Sequence, residues 1–386
     1  MYTQLQFSYT HENSDDDYRV GEEVPIINDL RSDNYNMYVL QNWSKYISNR
    51  HSLSVQASGI FNWSSLDYTG VNPLSLRMHD QKLRVSGWYQ LQLPKLYLTV
   101  TPGIEFFWRK SGGEFVRTVA PNVSTFMRYS FNNRNSLQLN MGYYSSSPAA
   151  VFLSTHLRQE NEILFSMGNP DLKNPHNLYV NLQYVWLPSN RFTGAAFANY
   201  SIRFDKVTAL YHPMTEGFAL LENMVNDGNY HTLNAGLNLT YKMLGGDLSF
   251  QANPMVSHYR STGIYRDSYT SADVKVYANY YIGAFNIGAS YKSQQRVMAD
   301  DGAKIKVSDR YEVYGGWGNK NWSLYLCFSN PFRHSWKEQQ RNFRSGMYSY
   351  TTQTYGGYSH SMIAFQSAYT FGYGKQVSHS NERRPD

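Results

Sequence analysis

One cysteine, Cys327, occurs in 386 residues. A disulfide framework and a cysteine-based zinc site within the chain are therefore excluded. No apolar run approaches the ~20 residues that a membrane helix requires, which excludes helical spanning as well. Lys and Arg number 35 against 29 Asp and Glu, but the basic residues are scattered, and only the "ERR" near the end resembles a cluster. Nucleic-acid binding, which needs a basic stripe on one face, is not expected. The opening "MYTQLQFSYTHENSDDD" has no basic region, no apolar core and no small-residue cleavage site, so it does not read as a secretory signal. Leu5, Phe7 and Tyr9 alternate instead like a strand already under way.

Aromatic rings are present in quantity: 34 Tyr, 20 Phe and 8 Trp. The mean hydropathy is nevertheless polar, at −0.55. The apolar material is thus concentrated in rings, many with a polar tip, which suit a wet boundary. Apolar residues also fall on every second position from end to end. Leu53, Val55, Ala57, Gly59 and Phe61 form one such run, and Leu83, Val85, Gly87, Tyr89 and Leu91 another. The cleanest is Leu233, Ala235, Leu237, Leu239, Tyr241 and Met243, with Asn234, Gly236, Asn238, Thr240 and Lys242 between them. Successive side chains of a strand point to opposite faces, so each run has one greasy face and one polar face.

This rhythm gives about sixteen strands, most of roughly ten residues, the length that crosses a bilayer at a tilt. Tight connections such as "LPK", "SFNNRNS", "LPSN", "LGG", "YIGA" and "WGNKN" alternate with long polar ones, among them "HENSDDDYRVGEEVPIINDLRSDN" and "RHSWKEQQRNFRSGMYSYTTQTYGGYS". Short turns at one rim and long loops at the other are the pattern of an outer-membrane barrel. Aromatic residues at strand ends, Phe61, Tyr89, Phe106, Tyr143, Trp186, Trp317, Trp322 and Phe371, predict two girdles at headgroup level. The expected fold class is therefore all-β, an antiparallel transmembrane β-barrel, with a lumen lined by residues such as Gln183, Asn234, Asn238 and Thr240. The alternative, a soluble β-sandwich, would leave too many long strands uncovered. The barrel is expected over residues 1–371, with a polar C-terminal tail over 372–386. Ile363, Phe365, Tyr369 and Phe371 read as the lipid-facing side of the terminal strand, with Phe371 at the periplasmic edge.

The most specific text is "FSMGNPDLKNPHNLYVNLQY", where Gly168, Asn169, Pro170, Asp171, Leu172, Lys173 and Pro175 form a turn-rich lead into a strand. It resembles the "GNP-x-L-K-P-E" phrase that precedes a barrel strand in TonB-dependent receptors of Gram-negative bacteria, although this chain reads "LKNPHN" where the family has "LKPE". The closing "AYTFGYGK" is similar to the terminal strand of the same outer-membrane group. The resemblance implies a barrel of about 22 strands filled by an N-terminal plug, of which this chain would supply the C-terminal portion without the plug and about six opening strands. It also implies an integral protein of the bacterial outer membrane that captures a nutrient and takes it up. Its partners would be outer-membrane lipid, a surface lipoprotein acting as a lid, and the TonB energy-coupling complex only if a plug is supplied upstream. The alternatives are a complete sixteen-stranded passive porin and a non-transporting adhesin or structural barrel.

No catalytic residue, metal site or cofactor is expected. Asp15, Asp16 and Asp17 lack the alternation and glycine of a calcium loop. His156, Glu160 and Glu162 lie close in sequence but no nucleophile stands at a diagnostic position, and "SGGEF" lacks the lysine and flanking elements of a phosphate loop. Cys327, with Ser323, Tyr325 and Ser329, is expected to face the lumen without a redox role. Tyr348, Tyr350, Tyr355 and Tyr358 are read as rings that pack loops together, with ligand stacking as the second reading. The ligand itself is not legible.

Overall fold

The computed structural model describes residues 1–18, 26–69, 73–111, 114–148, 150–214, 219–333, 337–356 and 360–371. The expected tail, 372–386, lies outside the described residues, as do Tyr358, Gly112 and Gly113, and the side chains of Asp15, Asp16 and Asp17. In chain order the strands are β1 (Tyr2–Tyr18), β2 (Ile26–Ser48), β3 (His51–Thr69), β4 (Leu74–Gln92), β5 (Leu96–Ser111), β6 (Glu114–Asn132), β7 (Asn135–Ser145), β8 (Arg158–Gln159), β9 (Leu164–Met167), β10 (His176–Trp186), β11 (Phe192–Phe204) and β12 (Val207–Pro213). They continue as β13 (Leu220–Asn226), β14 (Tyr230–Met243), β15 (Leu248–Ser261), β16 (Asp267–Ile282), β17 (Phe285–Lys292), β18 (Gln295–Met298), β19 (Lys304–Val307), β20 (Arg310–Gly318), β21 (Trp322–Ser329), β22 (Lys337–Arg344), β23 (Ser349–Tyr355) and β24 (Met362–Tyr369).

Sixteen of these form one sheet in the order β1-β2-β3-β4-β5-β6-β7-β10-β11-β14-β15-β16-β17-β20-β21-β24. Chain neighbours pair throughout and every pairing in it is antiparallel, the wall of a transmembrane β-barrel. At one rim the links are short, 49–50, 93–95, 133–134, 187–191, 244–247, 283–284 and 319–321. The two-residue turn at 283–284 needs its glycine, because Gly283 sits at φ +58°. At the other rim stand the long connections 146–175, 205–229, 293–309 and 330–361. The two kinds of connection fall at the rims that the sequence assigns them.

The outward row is apolar as the alternation predicts. Leu83, Val85, Leu182 and Leu237 are 36%, 38%, 40% and 37% exposed, the residual exposure of a side chain flanked by strands on both sides. On the outermost strands the same kind of residue is far barer: Leu5 is 69%, Ile363 70% and Phe365 67% exposed. Among the described residues, β1 pairs only with β2 and β24 only with β21, so both edges present unsatisfied backbone groups that a bilayer does not tolerate. Trp322 and Tyr369 meet at the short-turn rim with ring centroids 4.7 Å apart, and Tyr369 touches Phe371 at 4.6 Å.

The inward row is polar. Register aligns Asn140, Asn181, Asn199 and Asn234 across β7, β10, β11 and β14, and Ser257 and Ser271 extend the row onto β15 and β16. On β4 to β6 the Lys82 ammonium pairs with Glu105 at 2.7 Å, Asn122 donates to Glu105 at 3.2 Å, and Arg84 donates to Asn122 at 2.9 Å. Cys327 is buried in the inward row with its Sγ 3.8 Å from the Ser329 hydroxyl.

Strand length departs from expectation. Instead of about ten residues, β1 to β6 run to 17, 23, 19, 19, 16 and 19 residues. The supposed loop 11–34 is largely ladder, from His11 opposite Asp33 to Tyr18 opposite Ile26. Once register is set, hydrogen bonding continues beyond the membrane, where both faces meet water and polar side chains are accepted on either.

Candidate functional site: the mouth of the barrel

The long connections are not structureless. Two small sheets, β12-β13-β9-β8 and β18-β19-β22-β23, are built from them. Leu164, Tyr211, Tyr265, Ala303 and Phe343, each from a different connection, make a common hydrophobic core there. Phe343 lies 5.8 Å from Tyr211, 5.2 Å from Tyr265 and 5.3 Å from Tyr350, centroid to centroid. Tyr348 packs on Tyr211 at 4.9 Å. Tyr348 and Tyr350 thus hold the cap together, whereas Tyr355 is exposed. Sequence reading missed this core because its rings are far apart in the chain and follow no period.

The Gly168 to Pro175 phrase ties the 146–175 connection to its neighbour. Gly168 and Asn169 donate from their backbone N–H groups to the carbonyls of Ser154 and Phe152, at 2.7 Å each. A Cβ on Gly168 would lie 2.6 Å from the Phe152 carbonyl, so the chain approach requires glycine. The Asn169 carboxamide accepts from Asp171 N at 2.9 Å and donates to Met224 O at 3.1 Å. Lys173 N donates to the Asn226 side chain at 2.7 Å, and Ser146 N to Pro175 O at 2.9 Å, just before β10 begins. Leu172 and Asn174 are buried, and Asp171 and Lys173 are exposed. His156 and Glu160 diverge: the first meets the Tyr68 ring edge-on at 6.4 Å, the second accepts from the Ser166 hydroxyl at 2.5 Å.

A second connection folds inward. Ser271 Oγ donates to Arg296 O at 2.7 Å, Ser261 Oγ to Asp300 O at 3.1 Å, and Arg203 pairs with Asp300 at 2.6 Å. Tyr230 donates to Met298 O, and Met298 is fully buried. Ser271, Ser261, Arg203 and Tyr230 all lie in the inward rows, so β18 and residue 300 lie against the luminal side of the wall and narrow its upper end. Lys206 is buried at this level and, among the described residues, its Nζ has no hydrogen-bond partner. Burial pushes its ammonium below the usual lysine range, opposed by Asp227, Asp300 and Asp301.

Above, a cavity of about 430 Å³ opens among the connections, with Tyr211 and Tyr265 among its walls. Its carboxylates are already engaged, Asp267 by Lys304 at 3.1 Å and Asp301 by Arg341. Arg266 and Arg344 also line it, and among the described residues neither has an ion-pair partner. Burial and the nearby Asp301 and Glu222 carboxylates push the Tyr265 phenol up to about 12, so it stays a donor, to Ala209 O at 2.7 Å.

Glu222 accepts from the Tyr211 hydroxyl at 3.2 Å, yet burial holds its carboxyl above the usual range. An acid whose folded pKa is raised contributes stability that is complete below the unfolded value, about 4.3, and lost as pH rises through the folded value. Glu222→Gln keeps an acceptor for Tyr211 and removes that loss. Above the folded value the variant's amides over 207–226 are expected to open less readily than wild type by roughly 1 kcal/mol, with the advantage vanishing at low pH. Hydrogen exchange corrected for intrinsic rates measures both, and a pH-independent difference contradicts the assignment.

No protein-family model and no curated sequence matches the chain. Solved structures do. The copper transporter OprC superposes with TM-score 0.67 over 95% of this chain at 11% identity. The FrpB iron transporter of Neisseria meningitidis gives 0.58 over 90% at 11%. A ferric enterobactin receptor variant of Pseudomonas aeruginosa, in complex with enterobactin, gives 0.64 over 95% at 13%. This chain spans 61%, 59% and 59% of their respective lengths. At such identities the likeness shows the fold alone, the antiparallel barrel wall that these transporters and this receptor share.

Proposed function

We propose that this chain is the wall and mouth of an outer-membrane uptake receptor whose connections capture an anionic ligand before it enters the lumen. The observation that carries the reading is the cavity at the mouth, where the buried core rings Tyr211 and Tyr265 form part of a rigid wall and Arg266 and Arg344 line the opening with guanidinium groups that have no ion-pair partner among the described residues. Guanidinium forks bind carboxylate or catecholate oxygens strongly where water is partly excluded. The solved neighbours, copper and iron transporters and a ferric enterobactin receptor, agree with a charged metal chelate as cargo. The terminal strand, with Ile363, Phe365 and Tyr369 on its outward row and Phe371 packed on Tyr369 just beyond its end, anchors the wall at the short-turn rim. The Gly168 to Pro175 phrase acts as the latch that sets the mouth. Energy coupling through the TonB complex needs a plug in the lumen, and a surface lipoprotein would seat over the cap.

The test is binding. The full chain in phosphatidylcholine liposomes is titrated with ferric enterobactin and smaller anionic ferric chelates, followed by tyrosine and tryptophan fluorescence. Saturable quenching is expected, weakened roughly tenfold or more in Arg266→Gln/Arg344→Gln as two charge-assisted contacts are lost. Failure of every chelate to bind, together with steady ion conductance through the purified chain in planar bilayers, would replace uptake by passive conduction.

A further inference from the structure

The outward face of β4, β5 and β6 carries a feature that capture at the mouth does not use. Register places Val85, Ile104 and Pro121 side by side, then Leu83, Phe106 and Val119, an unbroken apolar band. One row nearer the long connections the sequence changes to Gln81, Trp108 and Arg117, and the next row is His79, Lys110 and Phe115. Arg77 follows on β4. On β1 to β3 the row that holds His79 is Tyr9, Tyr35 and Trp63. The aromatic girdle is therefore interrupted, over two strands, by cationic and polar side chains at the same depth.

These cations are available. Among the described residues Arg77, Lys110 and Arg117 have no carboxylate partner, and Arg117 lies over the Phe115 ring at 4.8 Å. Among the described side chains, the acids on nearby outward rows are Asp33, which is held by Tyr9 and His11 at 2.7 Å each, and Asp67, which stands opposite Arg31. Asp80 and Glu105 belong to the inward face. A groove of about 590 Å³ runs between the two rows, floored by Leu83 and Phe61 and flanked by Trp108, His79 and Lys110.

We propose that this groove, walled by His79 and Lys110, together with Arg117 and Arg77 on the same face beside it, binds the phosphorylated headgroup of an anionic lipid in the outward leaflet. Depth selects a lipid over a soluble anion. The cations share a face with the hydrocarbon-contacting residues and begin one row above them, so a phosphate that reaches them sits on an acyl-bearing molecule whose chains lie along Leu83 and Val85. Charge complementarity selects an anionic headgroup, since basic side chains at the membrane surface attract phosphorylated lipids. The indole and phenyl rings give the sugar or glycerol part a flat, amphipathic support at the level where such rings favour the interface.

The full chain in phosphatidylcholine nanodiscs is titrated with bis-phosphorylated lipid A, and retained lipid is counted by native mass spectrometry. Wild type is expected to retain lipid A preferentially. Arg77→Gln/Lys110→Gln/Arg117→Gln is expected to lose roughly tenfold or more in apparent affinity, as three surface cations are removed. The control Lys95→Gln/Arg191→Gln/Lys320→Gln removes the same charge from the short-turn rim and is expected to bind as wild type. Equal retention by the first triple variant, equal retention of dephosphorylated lipid A, or displacement of lipid A by millimolar inorganic phosphate would each overturn the assignment.

Discussion

Phe343→Ala is expected to release the cap while leaving the wall folded. Phe343 is 2% exposed and touches Tyr211, Tyr265 and Tyr350, which come from three different connections. Truncating a buried phenylalanine costs about 3–5 kcal/mol, and here the loss falls on a cluster of only five buried residues. The cap stands in water, so burial of its rings contributes the full hydrophobic term, whereas greasy side chains on the membrane-facing wall have none to gain from each other. Limited proteolysis should then cut within 330–361 and 205–229 far faster than in wild type, with strand circular dichroism unchanged. Tyr355→Ala, at a position 63% exposed, is the matched control and should behave as wild type. Unaltered protection of both connections in Phe343→Ala would show that the rings do not hold the cap.

The second large effect separates the two faces of one strand. Leu182 on β10 points outward, between Leu139 and Ala198 on its neighbours, at mid-height of the wall. Leu182→Arg places a guanidinium in hydrocarbon and is expected to destabilise the folded barrel by about 2–4 kcal/mol. Asn181→Arg, one residue away, turns the same group into the row of Asn140, Asn199 and Asn234, where water and carboxamides receive it, and should change stability by about 0.5 kcal/mol or less. Urea-dependent folding into vesicles, read by tryptophan fluorescence, distinguishes them. Equal effects at the two positions would mean that the outward row does not meet lipid.

The wall was legible because period-2 alternation is strict wherever one medium is oil and the other water. The runs from Leu53 to Phe328 fall on one face of their strands, and Asn234, Gln183 and Cys327 on the other; the last strand ends at Tyr369, short of the Phe371 that the alternation assigns to it. The extent of β1 to β6 was not legible, since beyond the membrane both faces are wet and "HENSDDDY" continues a ladder without any alternation to reveal it. The strands of the cap were hidden for a related reason. β8, β9, β18 and β19 span two to four residues, too few to show a period, and their pairing partners lie in other connections. In the mouth, Arg266 and Arg344 were not legible as a pair, because nothing in one dimension brings them beside Tyr211 and Tyr265. The "GNPDLKNP" phrase was visible as a turn, but its bonds to Met224 and Asn226 depend on tertiary placement.

Side chains on the outward strands have no protein neighbour across from them, and hydrocarbon does not discriminate a leucine from a valine or a phenylalanine by shape. Substitution among greasy residues is therefore close to neutral over half of every strand, while the backbone ladder that fixes the architecture makes no demand on residue identity. Divergence can run almost to the limit of recognisability before the cylinder changes. That is why 11% identity with a copper transporter coexists with a TM-score of 0.67, and why lineage in such walls is better sought in the turns and the cap, where shape is read.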